Sequence, residues 1–397
     1  MIAIVVCAFG LILQQLGIFS NLDHQLFDTI QQFTSYPQED ANVLLVYAEP
    51  ATVEDENDQL LSLLHQINQF EPRKIAIIGG QNQLPLHQLA ELPFANKMVI
   101  GCRLENWRSG GQQLGLAQGT VELKLAHQSV YRDHYLATTK QGKNYPTLEC
   151  VIAASMTQPH LSPRQNRFGI RYCGSTNSLP NVTASQIIDN SIVPGLIRDK
   201  VVMIGTADPH GYGYATPTTR AAQRIGQLEI HGHVLETLLR GNYISDCHWT
   251  MQFALLALLS SIVAFMILRA QINRIPIRLF AAMATVMLVS VCSYHFLSLR
   301  IPPTALLCSI CVAAGMAMFL RFRVLETYIR QLKLTANKAG YDQQDSWELI
   351  RLAALQQFYP HRMVCMELPP GRPHFQVVDT CNCDAVSYTH LTLPTKA

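Results

Sequence analysis

Charge is scarce in this 397-residue chain, where Asp, Glu, Lys and Arg make up 15% and hydrophobic residues 49%. A soluble domain carries about 25% charged residues, so the deficit points to a membrane. It is also concentrated: residues 1–22, 250–268, 279–299 and 301–320 contain none of the four charged types. Other absences exclude classes of chemistry. Neither GxGxxG nor GxxxxGK[ST] occurs, which removes the usual phosphate cradles. The Gly-x-Ser-x-Gly elbow of hydrolases and the HExxH zinc motif are missing too. No motif sets a pair of acids for acid–base work, so the chain by itself is expected not to be catalytic and to need no cofactor. Eleven cysteines include no CxxC pair with a matching partner. Cys308 and Cys311 have that spacing but fall in an apolar run, where packing is the expected role. A net charge of +2 gives no argument for nucleic acid as a partner.

Each uncharged run approaches the roughly 20 residues that a helix needs to cross a bilayer. The first, at the N-terminus, competes with a secretory signal peptide, but it lacks a basic leader and a small-x-small cleavage site, which favours a retained anchor. Met1 sits inside that run, so a start further upstream stays open. Positive charge orients the spans. The link 269–278 holds Arg269, Arg274 and Arg278 and no acid, and Arg321, Arg323, Arg330, Lys333 and Lys338 follow the last run. Both segments are expected on the cytoplasmic side, with residues 23–249 facing outward. The link between the last two runs has only Arg300. Tyr243 and Trp249 fall where an interfacial aromatic belt is expected.

Residues 23–249 alternate strand-like and helix-like pieces. Strands are expected at 43–47 (VLLVY), 74–79 (KIAIIG), 97–102 (KMVIGC) and 167–172 (RFGIRY). Another at 200–205 (KVVMIG) is the clearest buried run, and 120–125 (TVELKL) reads as an edge strand. Helices are expected around 60–70, at 146–156 with Pro146 in the first turn, at 184–189 and at 230–239. The expected fold class is an α/β extracytoplasmic sensor domain, with a mainly parallel sheet and flanking helices, on four transmembrane α-helices. Cys102, Cys150, Cys173 and Cys247 lie in this domain, and their pairing is not set by sequence.

Several segments carry a family resemblance. Residues 199–205 (DKVVMIG), 215–217 (ATP) and 229–239 (EIHGHVLETLL), the last followed by Arg240, Gly241 and Asn242, resemble motifs near the end of CHASE2 domains. Residues 22–28 (LDHQLFD) and 170–174 (IRYCG) are similar to the family's opening helix and a later strand. The resemblance implies an extracytoplasmic sensor of a bacterial receptor, preceded by one span and followed by three. It also implies a cytoplasmic output such as a nucleotide cyclase, a diguanylate cyclase or a protein kinase. The chain departs from the family at Glu49, alone where an acidic pair is usual, and at Gly79 and Gly80, where the second strand usually ends in an acid. The tryptophan-containing segment after the first strand is absent, and Gln227 stands in place of a glycine. A different input signal and a ligand-free scaffold therefore both stay open.

Asp208, His210, Glu229, His231 and His233 form the densest group of potential ligands. Together with Thr216 of the ATP step, Asp208, His210, Glu229 and His231 are the candidate ligand-binding residues, with no metal expected. On a helix, residues two apart point about 200° away from each other, so His231 and His233 do not share a face. The expected reading has His231 capping or packing the closing helix and His233 in solvent. The glycine-rich segment 205–213 (GTADPHGYG) follows a strand and reads as a turn or as a small-molecule loop. His295 is the one readily ionisable side chain of the spans, expected at the interface.

Beyond the last run, Leu325, Ile329, Leu332, Ala336 and Ala339 recur at coiled-coil spacing, which fits either a parallel homodimer or a plain amphipathic helix. A helix at 346–357 and strands at 363–368 and 374–378 suggest the start of an incomplete cytoplasmic domain over 341–385. Residues 386–397 read as a non-native tail. The expected whole is the input part of a bacterial inner-membrane receptor, in contact with the lipid bilayer, an unknown small-molecule or physical stimulus, and a cytoplasmic output module. The alternatives are a membrane-bound signalling enzyme at full length and a ligand-free membrane scaffold.

Overall fold

The computed structural model describes residues 17, 19–35, 40–48, 56–78, 86–107, 114–123, 130–156, 166–206, 213–219, 223–271, 274–338, 363–367 and 376–381. Two compact units divide the chain, one formed by Gly17–Trp249 with Leu288–Pro302, the other holding Thr250–Met287 and the chain from Pro303 onward.

The first unit runs α1 (Ser20–Thr34), β1 (Val43–Ala48), α2 (Glu56–Gln69), β2 (Lys74–Ile78), α3 (Leu86–Ala90), β3 (Met98–Cys102) and β4 (Ala117–Thr120). Then come β5 (Asp133–Tyr135), β6 (Ala137–Lys140), β7 (Lys143–Pro146), α4 (Leu148–Met156), β8 (Arg167–Gly169) and β9 (Asn181–Thr183). It closes with α5 (Ala184–Ile188), β10 (Val201–Thr206), α6 (Gln227–Arg240) and β11 (Ser245–Asp246). Six strands form one sheet in the order β4-β3-β2-β10-β1-β9, with every neighbour parallel. Parallel strands are covered on both faces, which is why β1 and β10 are continuous apolar runs. The pleat sorts them: Leu44, Val46, Val202 and Ile204 pack with Leu64 and Ile67 of α2, Leu89 of α3 and Ile187 of α5. Val43, Leu45, Val201 and Met203 pack on the other face with Leu148 and Ile152 of α4 and Leu228 and Leu235 of α6.

The parallel α/β class stands, with several boundaries corrected. The helix expected from Pro146 starts at Leu148, because Pro146 ends β7. That strand pairs with β6 through a two-residue turn, Gln141–Gly142, both at positive φ, as tight hairpins require. The edge strand lies at β4 rather than at 120–125, and β8 stops at Gly169. Tyr243 packs edge-on against Phe168 inside the domain instead of joining an aromatic belt, while Trp249 is exposed. Cys102, Cys150, Cys173 and Cys247 are free thiols.

The second unit is helical. Among the described residues, three helices are long and apolar enough to cross a membrane. These are α7 (Trp249–Arg269), α8 (Ile275–Leu297) and α9 (Pro303–Lys338), the last with its apolar part up to Gln331. Of the four expected spans three are found here; of the first, expected over 1–22, residues 1–16 and 18 lie outside the described residues and residues 20–22 open α1 instead. On α7 the buried side chains Leu256, Ser260, Val263 and Ile267 recur on one face, while Phe253, Leu258, Ile262 and Phe265 are exposed as lipid contact requires. Arg321 of α9 is buried and donates to the carbonyls of Ile267 (3.3 Å) and Ala270 (2.7 Å) at the end of α7, satisfying groups that the helix leaves open. Past Arg321, Leu325 and Ile329 are half-buried while Val324 and Tyr328 are exposed, matching the first two positions of the expected seam. The side chains of Leu332, Ala336 and Ala339 lie outside the described residues. The strands β13 (Met363–Glu367) and β14 (Gln376–Cys381) pair antiparallel, and the helix expected at 346–357 and the tail 386–397 lie outside the described residues.

Gly119 of β4 is where α4 presses hardest on the sheet, since a Cβ there would collide with the backbone of Leu148. Gly119→Ala is expected to lower stability by about 1–3 kcal/mol, read as a lower thermal midpoint of the full chain. An unchanged midpoint would show that α4 has room to shift.

Candidate functional site

Two of the five candidate ligand residues, Asp208 and His210, lie outside the described residues. The other three do not converge. Thr216 is buried in a turn: its N–H donates to Thr219 Oγ1 (2.9 Å) and its hydroxyl lies 3.3 Å from that of Thr218. Glu229 and His231 share α6 but face different partners. Glu229 accepts from the backbone N–H of Ser178 (3.3 Å), and its carboxyl pKa is raised by burial, against that hydrogen bond. His231 instead meets Glu149 in the first turn of α4, Nδ1 to Oε1.

Glu149 is the centre of a buried polar cluster. It is fully buried, and its second oxygen lies 3.4 Å from His134 Nε2 of β5, an electrostatic contact without hydrogen-bond geometry. Tyr131 Oη lies 2.8 Å from His134 Nδ1, and the Gln227 amide spans His231 Nε2 (3.3 Å) and the carbonyl of Val121 (2.9 Å). Burial alone raises a carboxyl pKa; here the two imidazoles outweigh it and hold Glu149 well below the usual range. Among the described residues no group of three metal-ligating side chains is positioned to hold an ion. The cluster joins α4, β5 and α6 through one ion contact and a set of buried hydrogen bonds.

His233, expected in solvent, is fully buried, because one turn of α6 is covered on every side. Its Nε2 lies 3.3 Å from Ser178 Oγ, its Nδ1 has no hydrogen-bond partner among the described residues, and its ring meets Tyr172 edge-on at 5.1 Å. Burial pushes its pKa down to about 3, so the ring stays neutral. Further along α6, Glu236 accepts from Asn42 N (2.9 Å), Asn42 Nδ2 (3.1 Å) and Arg240 Nε (2.5 Å).

A second site has no precursor in the sequence reading. The link between α8 and α9 folds into the first unit as β12 (Leu299–Arg300), pairing in parallel with β11. Arg300, only 9% exposed, places Nη1 2.6 Å from Asp133 Oδ1 and 3.7 Å from Asp246 Oδ1. Arg167 holds the other oxygen of Asp133 at 2.5 Å. Burial raises the Asp133 pKa, but the two guanidinium groups prevail and lower it. Arg171 adds a clamp, donating from Nη2 to the Tyr294 carbonyl (3.3 Å) and to Ser298 Oγ (3.0 Å), at the end of α8 where a cation is favoured. Phe27 of α1 stacks on Tyr294 at 5.1 Å, and the Tyr294 hydroxyl donates to Gln31 Oε1 (3.4 Å). The only cue in the sequence was a lone arginine in an otherwise uncharged link.

A parallel α/β domain joined in the chain to three membrane-length helices, with the α8–α9 link paired into it, is the architecture of a membrane-anchored domain. The profile of the CHASE2 domain matches residues 2–268. The chain therefore belongs to the CHASE2 family, a sensor-domain family of signalling receptors, and is a membrane protein. No curated protein and no solved structure matches it.

The buried titrating groups set an acid sensitivity. His233 titrates near 6.5 when unfolded and near 3 when folded, so its stabilisation is complete above 6.5 and is lost as pH falls through that window. His24, also lowered by burial, adds to the trend. The raised pKa of Glu229 works the other way, adding stability as pH falls towards the carboxylate range. Glu149 and Asp133, with lowered values, lose their contribution as pH falls from the ordinary carboxylate range through those lowered values. Between about pH 6.5 and 5 the histidines decide, so the thermal midpoint should fall with acid, and His233→Leu should flatten most of that slope. An equal slope in the variant would assign it elsewhere.

Proposed function

We propose that this chain is the input and transmembrane part of a bacterial inner-membrane receptor. Its α/β domain faces outward and meets a stimulus, and its last helix passes the response to a cytoplasmic output module that carries any catalysis. The observation that carries this reading is the seating of β12 and Arg300 in the sensor. Two crossings, by α7 and α8, return the chain to the side it left, and Arg269, Arg274 and Arg278 then fall on the cytoplasmic side, as the charge rule requires. The clamp on the end of α8 also gives the sensor a grip on a membrane helix besides its direct connection to α7. A stimulus that changes the packing around Asp133 or Arg171 shifts α8, and α9 carries the shift inward as a small translation or rotation. The half-buried Leu325 and Ile329 supply the start of a seam through which a second copy would pair.

Reporter fusions test the orientation. Alkaline phosphatase joined after residue 248 or 300 should be active, and after residue 272 or 338 inactive; the reverse pattern would overturn the proposal. Deleting residues 324–340 in a receptor with a measurable output should leave membrane insertion intact and abolish the response. A response that survives the deletion would remove α9 as the relay.

A further inference from the structure

The link between α7 and α8 carries positive charge with nothing to balance it. Residues 269–278 hold Arg269, Arg274 and Arg278 and no acid. All three arginines are exposed. The arginines of α9 are already engaged. Arg321 is committed to the carbonyls of Ile267 and Ala270, and Arg323 and Arg330 share Glu326 at 3.7 and 3.2 Å. Arg269 lies over the Phe265 ring, 4.6 Å from its centroid, a contact made through the guanidinium face that leaves its N–H edge open. Arg274 and Arg278 have no ion pair among the described residues. The first turn of α8 contains no acid, so the positive end of the helix adds to the arginines. Large apolar side chains share these turns: Leu268 is 48% exposed, Ile277 71% and Phe280 75%. That mixture selects its neighbour. Water alone leaves Ile277 and Phe280 uncovered, and hydrocarbon alone leaves three guanidinium groups without a counter-charge. The headgroup layer of a bilayer suits both, with phosphate against the arginines and acyl chains against the apolar side chains.

We propose that the α7–α8 link is a binding site for an anionic phospholipid, its phosphate held by Arg269, Arg274 and Arg278 and its acyl chains lying on Leu268, Ile277 and Phe280. A guanidinium presents paired N–H groups that match phosphate oxygens. Phosphatidylcholine offers the same phosphate with its own choline cation beside it; phosphatidylglycerol has no such cation, so its charge is available to the arginines. The choice of leaflet rests on the receptor reading, which puts this lipid in the cytoplasmic leaflet. Arg321 ties α9 to the last carbonyls of α7, so the bound lipid borders the helix that carries the response inward.

The test is native mass spectrometry on the full chain, stripped of lipid in detergent and titrated with dioleoyl-phosphatidylglycerol or dioleoyl-phosphatidylcholine. Each basic side chain at an anionic surface contributes about five-fold in binding, so phosphatidylglycerol should be preferred by about ten-fold or more. Arg274→Gln and Arg278→Gln should each lower that preference by about five-fold. Arg269→Lys, Arg274→Lys and Arg278→Lys together keep the charge and should retain most of it. Lys140→Gln, on the exposed β6–β7 hairpin, should leave it unchanged. Glycerol 3-phosphate, which carries the phosphate without acyl chains, should not displace the lipid at ten-fold excess (about 1.4 kcal/mol in effective concentration). The assignment is overturned if the two lipids bind equally, if both glutamine variants keep the full preference, or if Lys140→Gln lowers it as much. Displacement by glycerol 3-phosphate would also overturn it, by making the link a soluble-anion site. The comparison of the two lipids needs no variant, so a folding defect in one cannot mask the result. Micelles have no leaflets, so failure here sinks this site alone, while the receptor reading stands or falls on the reporter fusions.

Discussion

The buried ion pair between Arg300 and Asp133 is the contact on which the seating of the α8–α9 link in the α/β domain depends. Arg300 lies in a link of a few residues between two membrane helices, yet it is 9% exposed inside an α/β domain. A buried charge that loses its partner costs about 3–5 kcal/mol, so the pair is a strict condition on where that link can sit. The surroundings are shaped to it. Gly169 of β8 has no Cβ because one would collide with the Arg300 guanidinium, and Arg167, two residues earlier, holds the second oxygen of Asp133. Short backbone ladders then join Gly169 to Ile244, and Ser245 and Cys247 to the link. Each of these bonds is modest; the buried charge selects the register in which they form.

The membrane helices show the same device twice. Arginine on a neighbouring element closes the open carbonyls at a helix end, Arg171 for α8 and Arg321 for α7. In lipid an unsatisfied carbonyl has no water to turn to, so a guanidinium at a helix end is both a cap and a fixed point. The sensor's α6 follows a related logic. Glu229, His231, His233, Glu236 and Thr237 are all buried on it, and each is met by a partner on another element, so the helix is held by directional contacts as well as by Leu228 and Leu235 on the sheet.

Much of the scaffold was legible because it is written in local patterns. The β1 and β10 runs, the helical spacing of α2 and the uncharged runs of α7, α8 and α9 each state their element within a few residues. What failed was decided over distance. Pro146 was read as a helix start because its pairing with Ala137 in a hairpin is a matter of tertiary register. His233 was read as solvated because helical phase separates it from His231, yet α6 is covered all round and both faces are inside. The polar clusters were invisible for the same reason. Glu149 and His231 are 82 positions apart, and Asp133 and Arg300 are 167 apart, so no spacing rule joins them. A lone arginine in an uncharged link was a signal available in principle, since an isolated charge beside a membrane needs a partner. The expected grouping of Glu229 with His231 rested on proximity along the chain, which a helix converts into divergence.

The central claim is that Arg300 holds the α8–α9 link in the sensor. Hydrogen–deuterium exchange on the full chain in nanodiscs, comparing the protein with Arg300→Gln, tests it most directly. The account predicts that the amides of Ser245 and Cys247, which donate to the Ser298 and Arg300 carbonyls, exchange faster together, while those of β10 stay protected. Unchanged exchange at Ser245 and Cys247 in a folded variant would contradict it.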